Sequence, residues 1–290
     1  KYKKENFFPS FNSLILFMHL TDKQKGIALA FFGVLMITPD SLFIRLVNIN
    51  SWDLVFYRGA IPFLCLLIGL LFVYKNKFLS AVYAIGLAGV LNAIFIALMN
   101  ISFIVSIENT NVANTLIMIS LAPFTAAIMS SIFLKEHPKS RTWFAMALCF
   151  LCVIFIFYDS YAANRLFGDF FGFITAILVG ASSVVIRYAK IVNFLPSLLL
   201  GKLFTSLIAL LFIQSIYLAG IDLYLIIIMG IFLVTLPLTF LTLAPRYIPA
   251  HEVQLFFILE TALGPLWVWL VIQEEPTIKT ILGGVLIILT

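Results

Sequence analysis

"GIALAFFGVLMITPDSLFIRL", residues Gly26 to Leu46, is apolar over a length that crosses a bilayer, yet it carries Pro39 next to Asp40. About 20 apolar residues, at roughly 1.5 Å of rise each, span a hydrocarbon core, so the run reads as a membrane helix. Proline removes a backbone hydrogen bond, and a charge at the bilayer centre costs at least about 2.5–3.5 kcal/mol on insertion scales. Both are tolerated where backbone and charge face a wet cavity or a neighbouring helix. Pro39 and Asp40 together therefore read as a kink with a polar lining, although Asp40 could also pair with Arg45 at the outer interface.

The remaining chain extends this reading. Its 290 residues are 63% hydrophobic and only 11% charged, with 30 Phe, and the mean hydropathy is +1.13. A soluble domain carries roughly a quarter charged residues, so there is too little polar surface here to coat a water-soluble globule. Runs such as "FVYKNKFLSAVYAIGLAGVLNAIFIALM" (72–99) lack the two-residue alternation of barrel strands, which leaves membrane helices. The fold class is all-α integral membrane. The net charge of +5 reads as the basic bias of cytoplasmic loops rather than as a nucleic-acid surface.

Cutting at charges, prolines and Asn/Gly clusters predicts about ten transmembrane helices, at 26–47, 52–74, 79–101, 109–134, 141–159, 168–189, 195–218, 222–243, 249–272 and 277–290. The last run reads as cut short at Thr290. Residues 1–25 read as a cytoplasmic or interfacial leader, with 1–17 an extension ahead of a native start at Met18. With the N-terminus inside, Lys23, Lys25, Lys75, Lys77, Lys135, Lys139, Arg141, Arg187, Lys190 and Arg246 share one side. Arg45, Arg165 and Lys279 fall on the other, so both termini are expected in the cytoplasm, in a plasma or bacterial inner membrane.

"GIALAFFGVLMITPDSLFIR" (26–45) aligns with "GDFFGFITAILVGASSVVIR" (168–187), Gly on Gly and Arg on Arg. Glu136 and Pro138 align with Glu274 and Pro276, and Arg58 with Lys202. The chain thus reads as two five-helix repeats, 26–159 and 160–290. Five is odd, so the second copy must be inverted, an arrangement that builds carriers with a site near the midplane. "NTNVANTLIMISLAPFTAAIMSSIFLKEHPKSRTWFAMALCFLCVI" (109–154), "WDLVFYRGAIPFL" (52–64) and "IPAHEVQLFFILE" (248–260) with Glu274 to Pro276 carry a further likeness. The chain resembles the drug/metabolite transporter superfamily, specifically its EamA-type ten-helix exporters, over nearly all residues after Met18. The resemblance implies a carrier exporting amino acids, metabolites or toxic small molecules through a cavity shared by the halves. In helix nine Thr261, rather than proline, follows Glu260, which departs from that family's pattern.

The candidate cavity residues are Asp40, Arg58, Asn92, Asn114, Ser182, Lys202 and Glu260. Glu260 lies about 15 Å into its span, near the midplane, and either lines the cavity or bonds a neighbouring helix. Arg58 and Lys202 sit two turns or less from their entry points, where long stems could snorkel or pair instead. Asn92, Asn100, Asn114 and Gln254 suit helix–helix glue as well as substrate binding. Pro39, Pro123, Pro237 and Pro265 are candidate kinks or hinges, and Pro62 adds a bend. Trp267 and Trp269 fit an interfacial belt, and Glu136 and Glu274/Glu275, at helix ends on opposite faces, read as solvated caps, with a gate or lock between the halves as the functional alternative that repeat symmetry alone suggests. Cys149 and Cys152 form a C-x-x-C without a completing ligand, and the three histidines are scattered, so no metal or cofactor is expected. The absence of a Walker-type motif in the sequence leaves a secondary carrier of small molecules in the lipid bilayer, not an ATP-driven pump. A channel or a membrane-embedded enzyme is the alternative. Substrate, coupling ion and oligomeric state are open at this stage.

Overall fold

The structure is a computed structural model describing residues 21–136, 140, 143–144, 165–218 and 220–275. The leader to Leu20, most of the span expected at 141–159, the C-x-x-C and the run 277–290 lie outside the described residues. Within them the chain is helical, with no strand. Among the described residues seven helices are long and apolar enough to cross a membrane: α1 (Asp22–Leu46), α2 (Ser51–Tyr83), α3 (Gly86–Asn109), α4 (Val112–Leu134), α5 (Leu166–Tyr188), α7 (Gly220–Arg246) and α8 (Ala250–Ile272). A shorter apolar helix, α6 (Leu195–Leu210), lies between α5 and α7. The protein is an integral, multi-pass membrane protein.

Burial follows the membrane pattern. Phe72, Tyr83 and Leu87 are exposed, as are Phe31, Phe32, Leu64 and Ile68, while Asp40, Arg58, Lys202 and Glu260 are buried. Large apolar side chains outside and ionisable ones inside suit a lipid surround.

Three helices are broken where the sequence supplies a reason. In α1 the regular helix stops at Ile37 and restarts at Asp40. Pro39 has no N–H for the Leu35 carbonyl, and the Thr38 hydroxyl donates to that carbonyl instead, at 3.0 Å. Trp267 of α8 then donates its indole N–H to Thr38 Oγ1 at 3.2 Å, so this ring braces the break instead of simply lying in an interfacial belt. In α4 the break falls at Ser120–Leu121, just before Pro123, with Ser120 Oγ donating to Ile117 O. In α7 a π-helical stretch, Met229–Thr235, precedes Pro237, and Thr235 Oγ1 donates to Gly230 O at 2.6 Å. Pro265 lies inside the regular part of α8, whose offset falls earlier, at Phe256.

Two expected boundaries move. The third span starts at Gly86 rather than at 79, because Gly86 takes φ +58 and turns the chain there. The basic Lys75–Lys77 segment is followed by a short helix, Phe78–Tyr83, of which only Ala81 is buried. The seventh ends at Leu210 rather than at 218. The amides of Gln214 and Ser215 donate to the Asp53 carboxylate, Gln214 at 2.8 Å, which draws the chain away from the helix axis.

The two halves of the sequence interleave. α3 packs on α5 and α6, α2 on α6, α4 on α5 and α8, and α1 on α7. The core is therefore shared between early and late helices, and the space enclosed has walls from both.

Candidate functional site

The interleaved helices enclose a cavity with an empty volume of about 840 Å³, open solvent included. Each wall is one face of a helix. Thr175, Val179, Ser182, Ser183 and Ile186 recur at helical spacing along α5; Ile96, Met99, Asn100 and Phe103 do so along α3. α1 contributes Ile37 and Asp40, α2 Arg58, α7 Val234, Leu238, Leu241 and Thr242, and α8 Gln254, Phe257 and Glu260. Most of the lining is apolar, with polar groups at a few points, the usual build of a small-molecule site.

The strongest polar element is a fork. Arg58 Nη1 and Nη2 donate to Asp40 Oδ1 and Oδ2 at 2.6 and 2.8 Å. Both side chains are almost fully buried, at 4% and 0% exposure. Met229 Sδ lies 3.3 Å from Nη1, and the guanidinium carbon stands 5.7 Å from the centre of the Phe103 ring. Asp40 thus pairs with Arg58 and not with Arg45. Arg58 does not snorkel, because the Pro39 break sets the Asp40 carboxylate inside the bundle, within reach of it.

Glu260 lines the same cavity, buried, and its carboxylate accepts no hydrogen bond among the described residues. It is the wall's unpartnered acid. Gln254 donates to Ser183 Oγ and leaves its own Oε1 unsatisfied, a second acceptor on α8. Lys202 is 0% exposed and does not snorkel either; its ammonium donates to Asn100 Oδ1 at 2.9 Å and stands behind that side chain.

Of the residues expected at a cavity, Asp40, Arg58, Ser182 and Glu260 line it, whereas Asn92, Asn114 and Lys202 are not among its lining. Asn92 is interhelical glue. Ser182 Oγ donates to Asn92 Oδ1 at 2.7 Å, Asn92 Nδ2 to Ser197 Oγ at 2.9 Å, and Ser197 Oγ to Gly89 O at 2.6 Å. This relay ties α5, α3 and α6. Asn92→Ala is expected to cost about 1–2 kcal/mol, two interhelical bonds at roughly 0.6–1 kcal/mol each, read as a lowered thermal midpoint in detergent. Asn114 donates to Thr110 Oγ1 at 3.4 Å at the start of α4. Thr175, Thr242 and Phe103 were not singled out from sequence. Thr175 was detectable, since it lies two turns before Ser182 on the same helix face.

At the helix ends two further ion pairs join the halves. Arg45 Nε stands 3.2 Å from Glu274 Oε2, and Arg187 Nε 3.0 Å from Glu136 Oε1. Glu136 and Glu274 are thus paired, not merely solvated caps. Each arginine also holds a backbone carbonyl, Arg45 that of Thr110 at 3.0 Å and Arg187 that of Pro245 at 3.4 Å. Glu274 Oε1 accepts the Val112 N–H at 3.0 Å.

A multi-pass helical membrane protein with a largely apolar cavity, carrying a few polar groups and walled by both halves, is the class that this geometry defines. Residues 24–158 match the model of the EamA-like transporter family. Over that segment, just under half of the chain, the protein is similar to the EamA-like transporter family, consistent with the drug/metabolite transporter superfamily, a family of transporters rather than of enzymes. Comparison with curated proteins finds no match. A solved structure described as "Crystal structure of protein" superposes with a TM-score of 0.69 at 14% identity, covering 92% of this chain and 95% of that one. At that identity the likeness concerns the fold alone.

Proposed function

We propose that this protein is a secondary carrier moving small amphipathic metabolites, of amino-acid or drug-like size, by alternating access to the central cavity. In this reading the chain has ten spans in two inverted five-helix repeats, 26–159 and 160–290. It sits in a plasma or bacterial inner membrane with both termini cytoplasmic. The observation that carries it is the cavity itself, inside the bundle and lined from both halves, with apolar walls, the Arg58–Asp40 fork and the unpartnered Glu260. The distribution of Lys and Arg between loops supports the orientation. The aligned pairs Arg45/Arg187 and Glu136/Glu274, each arginine within ion-pair distance of the other half's acid, support the inversion. Glu260 is the group best placed to bind a substrate donor or to carry a coupling proton.

The test is uptake and efflux of labelled amino acids and other metabolites in proteoliposomes, with and without a pH gradient. Saturable flux is expected for the parent. Glu260→Gln keeps the side chain's shape and strands no partner, so the fold should survive. A hydrogen bond to a charged group is worth about 1.5–3 kcal/mol, so flux should fall about tenfold or more. Loss of only the pH-driven part would make Glu260 the coupling site. Unchanged flux would return it to structure, and a rapid non-saturable leak would replace the carrier with a channel.

A further inference from the structure

The two ion pairs at the helix ends lie on opposite faces of the bundle. α4 starts at Val112, whose N–H is bonded to Glu274, and runs to Leu134, two residues before Glu136. Its 23 residues cover about 34 Å at 1.5 Å each, the depth of a membrane. α1 gives the same ordering. Its Gly26 packs on Tyr247 and Ile248, next to the Pro245 carbonyl held by Arg187, and Arg45 lies near its other end.

The two sites are built alike. Each arginine takes a backbone carbonyl from its own half, Arg45 that of Thr110 just before α4 and Arg187 that of Pro245 in the last turn of α7, and a carboxylate from the other half. Residues aligned in the repeat, Arg45 with Arg187 and Glu136 with Glu274, thus perform the same task on opposite faces. The cavity lies between them. Ile186, next to Arg187, lines it at one end, and Asp40, five residues from Arg45, lines it towards the other. α1 is broken at Thr38–Pro39, α4 at Ser120–Leu121 and α8 at Phe256. Three of the four latch residues, Arg45, Glu136 and Glu274, therefore follow a break in their own helix, which lets a helix end move without bending regular turns.

We propose that Arg45–Glu274 and Arg187–Glu136 are a matched pair of latches, each of which must open for the cavity to reach its own face of the membrane. This rests on the carrier reading and adds which contacts close each side. The pairs are partly exposed, with side-chain exposures of 27% and 24% for Arg45 and Glu274 and 15% and 32% for Arg187 and Glu136. Bonds of that kind are weak enough to break on every cycle. Opening one latch while the other holds moves a two-state equilibrium, and the effect on the two faces must be reciprocal.

The test measures access directly. In a background with Cys65, Cys149 and Cys152 replaced by Ala, Ser182→Cys places a thiol on the cavity wall. A membrane-impermeant charged thiol reagent is applied to right-side-out and to inverted vesicles. Glu136→Gln is expected to raise labelling from the Glu136 face about fivefold and to lower it from the other, a modest coupling between sites. Glu274→Gln should do the reverse, and Arg187→Gln and Arg45→Gln should each repeat the result of their partner acid. Exchanging the charges of one pair, Glu136→Arg with Arg187→Glu, should return labelling towards the parent. The proposal is overturned if both acid variants shift labelling in one direction, or if neither shifts it. Reciprocal labelling without saturable flux of any compound would instead defeat the carrier reading and leave the latches standing.

Discussion

Arg58→Ala, with Asp40 left in place, is expected to cost about 3–5 kcal/mol and to abolish flux, because it strands a buried carboxylate. The fork holds Asp40 at 2.6 and 2.8 Å, and the Asp40 side chain has no exposure through which water could replace the guanidinium. Glu260 lines the same cavity, so the variant would set two acids facing one enclosure with the Arg58 guanidinium gone. Asp40→Ala should be comparably harmful, since it leaves the Arg58 guanidinium buried without a carboxylate. Removing both charges together is different. Asp40→Leu with Arg58→Met replaces the pair by apolar groups, and such replacements of buried ion pairs are often neutral in stability. The double variant should therefore recover most of the thermal midpoint in detergent while flux stays lost. A cycle in which the two losses simply add would show that the fork is not a coupled unit.

Much of the architecture was legible because membrane helices leave a strong linear trace. Twenty apolar residues between charged clusters can be read without knowing any contact, and α4 and α8 begin and end close to where composition placed them. The boundaries that moved depended on groups distant in sequence or on one backbone angle. Asp53 captures the amides after α6 from over 150 residues away, and Gly86 turns the chain by a positive φ. The site was half legible for the same reason. The cost of intramembrane charge singled out Asp40, Arg58, Lys202 and Glu260, but not which of them pair. Arg45 lay nearer Asp40 in sequence, yet α1 carries the two in different directions and Glu274 takes Arg45. The repeat alignment matched arginine with arginine and glutamate with glutamate. That each arginine reaches the other half's acid required the fold.

Gly59→Ala is the second large effect, and a neighbouring glycine supplies its control. A Cβ on Gly59 would lie 2.6 Å from the Ser206 amide nitrogen and 2.8 Å from the Lys202 carbonyl oxygen, both backbone atoms that cannot rotate away. α2 and α6 touch here through backbone, the close approach that small residues permit between membrane helices. The contact joins the residue after Arg58 to the backbone of Lys202, so it sets the spacing of the two basic centres. Alanine is intrinsically the better helix former, by about 0.8–1 kcal/mol, and that gain alone would make the substitution stabilising. Overpacking works against it by roughly 1–3 kcal/mol or more, so Gly59→Ala should lower the thermal midpoint and Gly59→Val should prevent folding. Gly69 lies in the same helix and would meet nothing within 4 Å. Gly69→Ala should leave the midpoint unchanged or raise it. If the two alanine variants behaved alike, α2 and α6 would have room to part, and the spacing of Arg58 and Lys202 would have to be held by the Arg58–Asp40 and Lys202–Asn100 bonds instead.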